Sequence, residues 1–146
     1  MVTVRRETSA DVDAVWRVLA DGWLYPSWVV GASRMRNVDT AWPAVGAKLY
    51  HSLGAWPMLI NDNTEVEVSV PDRELVLRGR GWPMGEVTIR LELEPLDDGG
   101  ALITMSEDIA SGPAKLMPGP VRTALMGPRN VETLRRLAYL AEGGSR

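Results

Sequence analysis

Hydrophobic and polar positions alternate with two different periods along this chain. Val2 and Val4 share one face of a strand over Val2–Thr8, before Ser9 and the acceptor-rich Asp11-Val12-Asp13 supply a helix N-terminus. Val12, Val15, Trp16 and Leu19 then recur at helical spacing, which predicts a short amphipathic helix over 10–20, ended by Gly22. Trp23-Leu24-Tyr25-Pro26-Ser27-Trp28 reads as a second, shorter helix or turn. From about residue 31 the period becomes two, with strands predicted at 33–39, 46–54, 60–70, 74–82, 86–95 and 101–109. The breaks between them are short: Trp42-Pro43, Trp56-Pro57, Pro71-Asp72, Trp82-Pro83 and Asp97-Asp98-Gly99-Gly100. Connections this short join antiparallel neighbours, so the strands form a meander. A Gly/Pro-rich loop at 110–119 leads to a final helix of about 34 Å from Pro120 to Glu142, with a kink or break expected at Gly127-Pro128. Leu125, Val131, Leu134, Ala138 and Ala141 give that helix an apolar stripe.

These elements make one α+β domain over 1–146: a curved seven-stranded antiparallel sheet around a long C-terminal helix, with two short helices between strands 1 and 2. With 146 residues, of which 45% are hydrophobic, the chain can fill such a core unaided. A net charge of −3 argues against nucleic-acid binding through phosphate attraction. The absence of cysteine removes disulfides and thiolate chemistry, and a lone histidine removes a multi-histidine metal site. No apolar run is long enough to span a membrane and the start lacks a signal-peptide pattern, so a cytoplasmic protein without stable membrane insertion is expected. No phosphate loop, nucleophile elbow or carboxylate dyad is found, so no cofactor and no metal are expected.

Three stretches resemble the START/Bet v 1-like (SRPBCC) superfamily, in particular the bacterial polyketide cyclase/dehydrase and lipid-transport group. Ser9–Asp21, with its tryptophan and terminal aspartate, is similar to that group's opening helix. Tyr25-Pro26-Ser27-Trp28 is similar to the Pro-x-Trp that follows it, and Arg129–Leu137 to its closing helix. The resemblance implies the helix-grip fold. It leaves activity open, because the superfamily includes lipid carriers, hormone receptors, cyclases and chaperone activators.

Candidate site residues follow from the strand faces. His51 alternates in phase with Leu49 and Leu53, which carries its imidazole inward to orient a ligand carbonyl or move a proton. The alternative is an inert, hydrogen-bonded histidine near the sheet edge. Glu107 is in phase with Ile103 and Met105, which makes it an acid/base candidate at the rim of an apolar interior unless the strand has already ended in solvent. Asn130 either reaches a cavity ligand or bonds backbone freed by Gly127-Pro128. Glu65, Glu67, Arg78, Arg80, Arg90 and Glu92 are cross-strand pairs on the solvated face.

A long helix cannot lie flush on a strongly bent sheet, so the gap is filled by large side chains or persists as a cavity. Six tryptophans and seven methionines, with no phenylalanine, suit either outcome. The leading expectation is a binding module for a small hydrophobic or amphipathic ligand, lipid or polyketide-like, acting as a monomer or weak homodimer. Its ligand-binding candidates are Trp28, His51, Leu53, Trp56, Met58, Trp82, Met84, Met105, Met117, Leu125 and Asn130. The alternatives are a cyclase/dehydrase-like enzyme using His51 and Glu107, or a protein–protein module with a closed pocket. Alternation of hairpin ends puts the turns near 56 and 83 and the loop after 109 at one end, predicting that Trp56-Pro57-Met58, Trp82-Pro83-Met84 and Leu116-Met117-Pro118 rim the pocket or plug it.

Overall fold

A computed structural model describes residues 1–53, 60–81 and 85–143. Strand β1 (Val2–Thr8) is followed by helix α1 (Val12–Ala20) and the four-residue helix α2 (Tyr25–Trp28). Then come β2 (Ala32–Val38), β3 (Lys48–Leu53), β4 (Ile60–Val70), β5 (Glu74–Gly81), β6 (Gly85–Pro95) and β7 (Ala101–Ser111), and finally α3 (Gly119–Ala141). One antiparallel, curved, open sheet takes the order β1-β7-β6-β5-β4-β3-β2, so six strands meander and β1 closes against the last of them. Register shifts between Met35 and Asn37, between Val66 and Val68 and between Glu86 and Val87 supply local bends. Where the expected loop at 110–119 begins, β7 runs two residues further than its apolar run suggested, pairing Ile109 with Val87 and Ser111 with Glu86. A 3-10 turn at Pro113–Leu116 follows.

Local chemistry sets these boundaries. Asp11 caps α1, its Oδ1 accepting from the Ala14 N–H at 2.8 Å. Gly85 is required at the β5–β6 hairpin: its φ is 115°, and a Cβ there would stand 1.9 Å from the Ser111 carbonyl oxygen. Salt bridges from Arg78 to Glu67 and Glu86, and from Arg90 to Glu74, lie on the outer face as cross-strand pairs. Exposed pairs of this kind contribute at most about 1 kcal/mol each.

Helix α3 differs from its sequence reading in two ways. It is unbroken across Pro128, and its buried side chains are Met126, Asn130, Thr133, Leu134, Leu137 and Ala138. Leu125 and Val131 are on its exposed side, at 61% and 53% exposure. The buried positions follow i, i+4, i+7, i+8, i+11, i+12, a regular helical stripe in which two members are polar.

The inner face of the sheet is graded in size, and the grading makes a cavity. At one end Leu75, Leu77, Leu91 and Ile103 are fully buried and meet α1, with Leu134 and Leu137 of α3, in the main core. At the other end the side-by-side inward row is Thr64, Gly79, Val87 and Ile109, read across β4 to β7. A smaller cluster of Val2, Ile109 and Met126 packs there. Small residues such as Thr64 and Gly79 beneath the helix leave volume that the chain itself does not fill.

Candidate functional site

That volume is a cavity of about 260 Å³, lined from both clusters: Ile89 and Met105 from the main core, Val87, Ile109 and Met126 from the smaller one. Polar side chains enter it from three directions. Glu107 comes from β7, His51 and Thr64 from β3 and β4, and Asn130, Thr133 and Arg129 from α3. Tyr25 of α2 completes the wall.

Glu107 is 3% exposed, which settles the strand-end alternative: β7 continues past it, and period two turns it inward. Its Oε1 accepts from Arg129 Nη2 at 2.6 Å and from Asn130 Nδ2 at 2.9 Å. The carboxylate is thus paired with a charge and hydrogen-bonded, as a buried carboxylate must be. Asn130 spends its amide on this contact and not on backbone near Pro128. Thr133 Oγ1 accepts from the Val30 N–H at 3.2 Å, which fixes the chain after α2 against α3.

His51 is buried one strand in from the sheet edge. Its Nε2 is 2.7 Å from Thr64 Oγ1, and its ring stacks on Tyr25 with centroids 5.3 Å apart. Nδ1 is buried and has no hydrogen-bond partner among the described residues. Burial lowers the imidazole's pKa from its ordinary value; Asp62 opposes this and Arg36 reinforces it. Tyr25 is shifted upward, chiefly by burial: the Thr64 hydroxyl opposes the shift, nearby Glu107 adds to it and Arg129 opposes it. At neutral pH the site therefore holds a neutral imidazole and a neutral phenol.

A depressed histidine pKa has a definite sign in stability. Below about pH 6.5 the unfolded chain binds a proton at His51 that the folded chain resists, so this group makes stability rise with pH. Acidification from pH 7 to 5 is expected to destabilise the protein more than its His51→Gln variant, measured by urea unfolding. The His51 NMR titration is expected below 6.5. A midpoint at or above that value would mean the ring is solvated.

Of the residues singled out in the sequence, His51, Met105, Glu107, Met117 and Asn130 line the cavity. Trp28 does not: it is buried behind the wall, its ring edge-on to Tyr25 at 5.3 Å. Leu125 points outward from α3 and is absent from the lining. Trp56, Met58, Trp82 and Met84 lie outside the described residues, as does the side chain of Leu53. Tyr25, Thr64, Gly79, Arg129 and Thr133 were not singled out as site residues. The in-phase position of Thr64 opposite Leu49 was the available signal for one of them.

Among the described residues there is no cluster of three metal-ligating side chains, and no helix is long and apolar enough to cross a membrane.

A curved antiparallel sheet gripping one long C-terminal helix, with a polar-studded cavity between them, defines a helix-grip protein. The chain belongs to the polyketide cyclase/dehydrase and lipid transport family, whose profile matches residues 1–142. Its fold is similar to that of a START superfamily protein from Mycobacterium smegmatis, with a TM-score of 0.73 at 16% identity over 97% of each chain. The allergen Ara h 8.0201 gives 0.73 at 10% identity, covering 97% of this chain and 96% of that one. The di-domain ARO/CYC StfQ of the steffimycin biosynthetic pathway gives 0.73 at 13% identity, covering 98% of this chain and 50% of that one. At these identities the likeness is one of fold. No curated protein matches the chain in sequence.

Proposed function

We propose that this protein binds a compact, mostly apolar small molecule in the cavity between α3 and β3–β7. The carrying observation is that Glu107, His51, Thr64, Asn130 and Thr133 converge on one otherwise apolar space, the usual composition of a small-molecule site. Its 260 Å³ lies just under the roughly 300 Å³ at which such sites commonly begin. That favours a fused bicyclic skeleton over a long acyl chain. Family membership supports a small hydrophobic ligand in general.

Naphthalene is the simplest probe of the apolar part. In a titration followed by amide NMR, saturable shifts are expected at Gly79, Ile89 and Asn130, with outer-face residues such as Glu67 unmoved. Shifts that do not saturate, or that map elsewhere, would remove the reading.

A cyclase or dehydrase activity is the second reading, favoured by one observation: a neutral imidazole with a partnerless Nδ1 in the cavity wall. In that case His51→Ala abolishes turnover while binding persists. If binding is lost in step with turnover, the histidine holds the ligand and does not move a proton.

A further inference from the structure

We propose that Glu107 selects the ligand: the cavity takes neutral molecules bearing a hydroxyl and rejects carboxylates of the same skeleton. The inference rests on the binding reading above and adds the chemistry of the polar end.

Both hydrogen bonds to Glu107 fall on Oε1. Among the described residues Oε2 accepts none, yet it is not among the buried polar atoms sealed off without a partner. A carboxylate that lines the cavity thus keeps one oxygen open toward it. A carboxylate oxygen only accepts, so the matching ligand group must donate. Water can fill that role when no ligand is bound, and a ligand that displaces it without donating leaves the oxygen unsatisfied.

Charge narrows the class further. Arg129 already neutralises Glu107, the other arginine of the lining, Arg80, is paired with Glu86, and Tyr25, Thr64, Asn130 and Thr133 are uncharged. A ligand carboxylate would bring a second negative charge against the first, in a space where charges are poorly screened. An alcohol or phenol brings the donor without the charge.

The clamp also has a purely structural reading, in which Arg129 and Asn130 tie α3 to β7 and the ligand never meets Glu107. The two readings differ in ligand ranking. At pH 7.5, 2-naphthol is expected to bind the wild-type protein about tenfold or more tighter than naphthalene, as a hydrogen bond to a charged group allows. 2-Naphthoate is expected to bind more weakly than either. Glu107→Gln keeps an oxygen for Arg129 and Asn130 but replaces Oε2 with a donor. It should remove the preference for 2-naphthol and strengthen 2-naphthoate.

The wild-type ranking alone tests the idea if that variant does not fold. Should naphthalene bind but 2-naphthol bind no tighter, selection by Glu107 is wrong and the cavity reading stands. Should 2-naphthoate bind tightest, Arg129 has left Glu107 for the ligand, and the inference is overturned. If none of the three binds, the cavity reading itself has failed.

Discussion

Leucine in place of Gly79 is expected to weaken naphthalene binding by about a hundredfold or more, while the protein stays folded. Gly79 is on the inner face of β5, flanked in register by Thr64 on β4 and Val87 on β6. A Cβ there would meet Val87 Cγ2 at 3.4 Å and Thr64 Oγ1 at 3.6 Å, which is ordinary contact. Alanine is therefore accommodated, and the strand gains from losing glycine's conformational freedom. The three further carbons of leucine have only the cavity to enter. They would occupy the space between Gly79 and α3 that the ligand needs. Overpacking costs about 1–3 kcal/mol in a filled core, and less where the added atoms meet a void. The measurement is a pair of titrations, with urea unfolding as the control. Wild-type affinity in a folded Gly79→Leu protein would place the ligand elsewhere.

The fold was readable because its signals are local and repeated. Alternation along β4 to β7, short Gly/Pro/Asp-containing turns and the acceptor-rich start of α1 each point to one conformation, and they agree with one another. Predicted and observed bounds of β4 coincide at 60–70, and β5, β6 and β7 start within one residue of their predicted positions. The site was legible where it lies on a strand, because a strand's period fixes which residues share a face: His51 follows from Leu49, and Glu107 from Met105. It was less legible on α3. Choosing the most apolar residues there selects Leu125 and Val131, whereas the face toward the sheet carries Asn130 and Thr133. Along the cavity the rule that buried positions are apolar is suspended. Reading the helix by hydrophobicity therefore turned it away from its polar contacts. Gly79 had no signal of its own: a small inward residue matters only once its neighbours across three strands are known.

The two faces of α3 are expected to respond very differently to the same truncation. Leu137→Ala should cost about 2–5 kcal/mol, the range for a buried leucine whose surroundings relax only in part. Leu137 is 0% exposed and lies in the main core, with Leu134 on the same helix and leucines from the sheet. For a domain near this size each kcal/mol lowers Tm by about 2–4 °C, so a fall of roughly 4–20 °C is expected. Leu125→Ala should change stability by no more than about 0.5 kcal/mol, as an exposed substitution on a helix surface does. It should leave naphthalene binding unchanged, because Leu125 is outside the cavity wall. Thermal unfolding of both variants checks the assignment directly. A large loss at Leu125 together with a small one at Leu137 would mean that α3 is rotated about its axis, and Asn130 would then face away from Glu107. The comparison thus tests the polar end of the cavity without touching any residue in it.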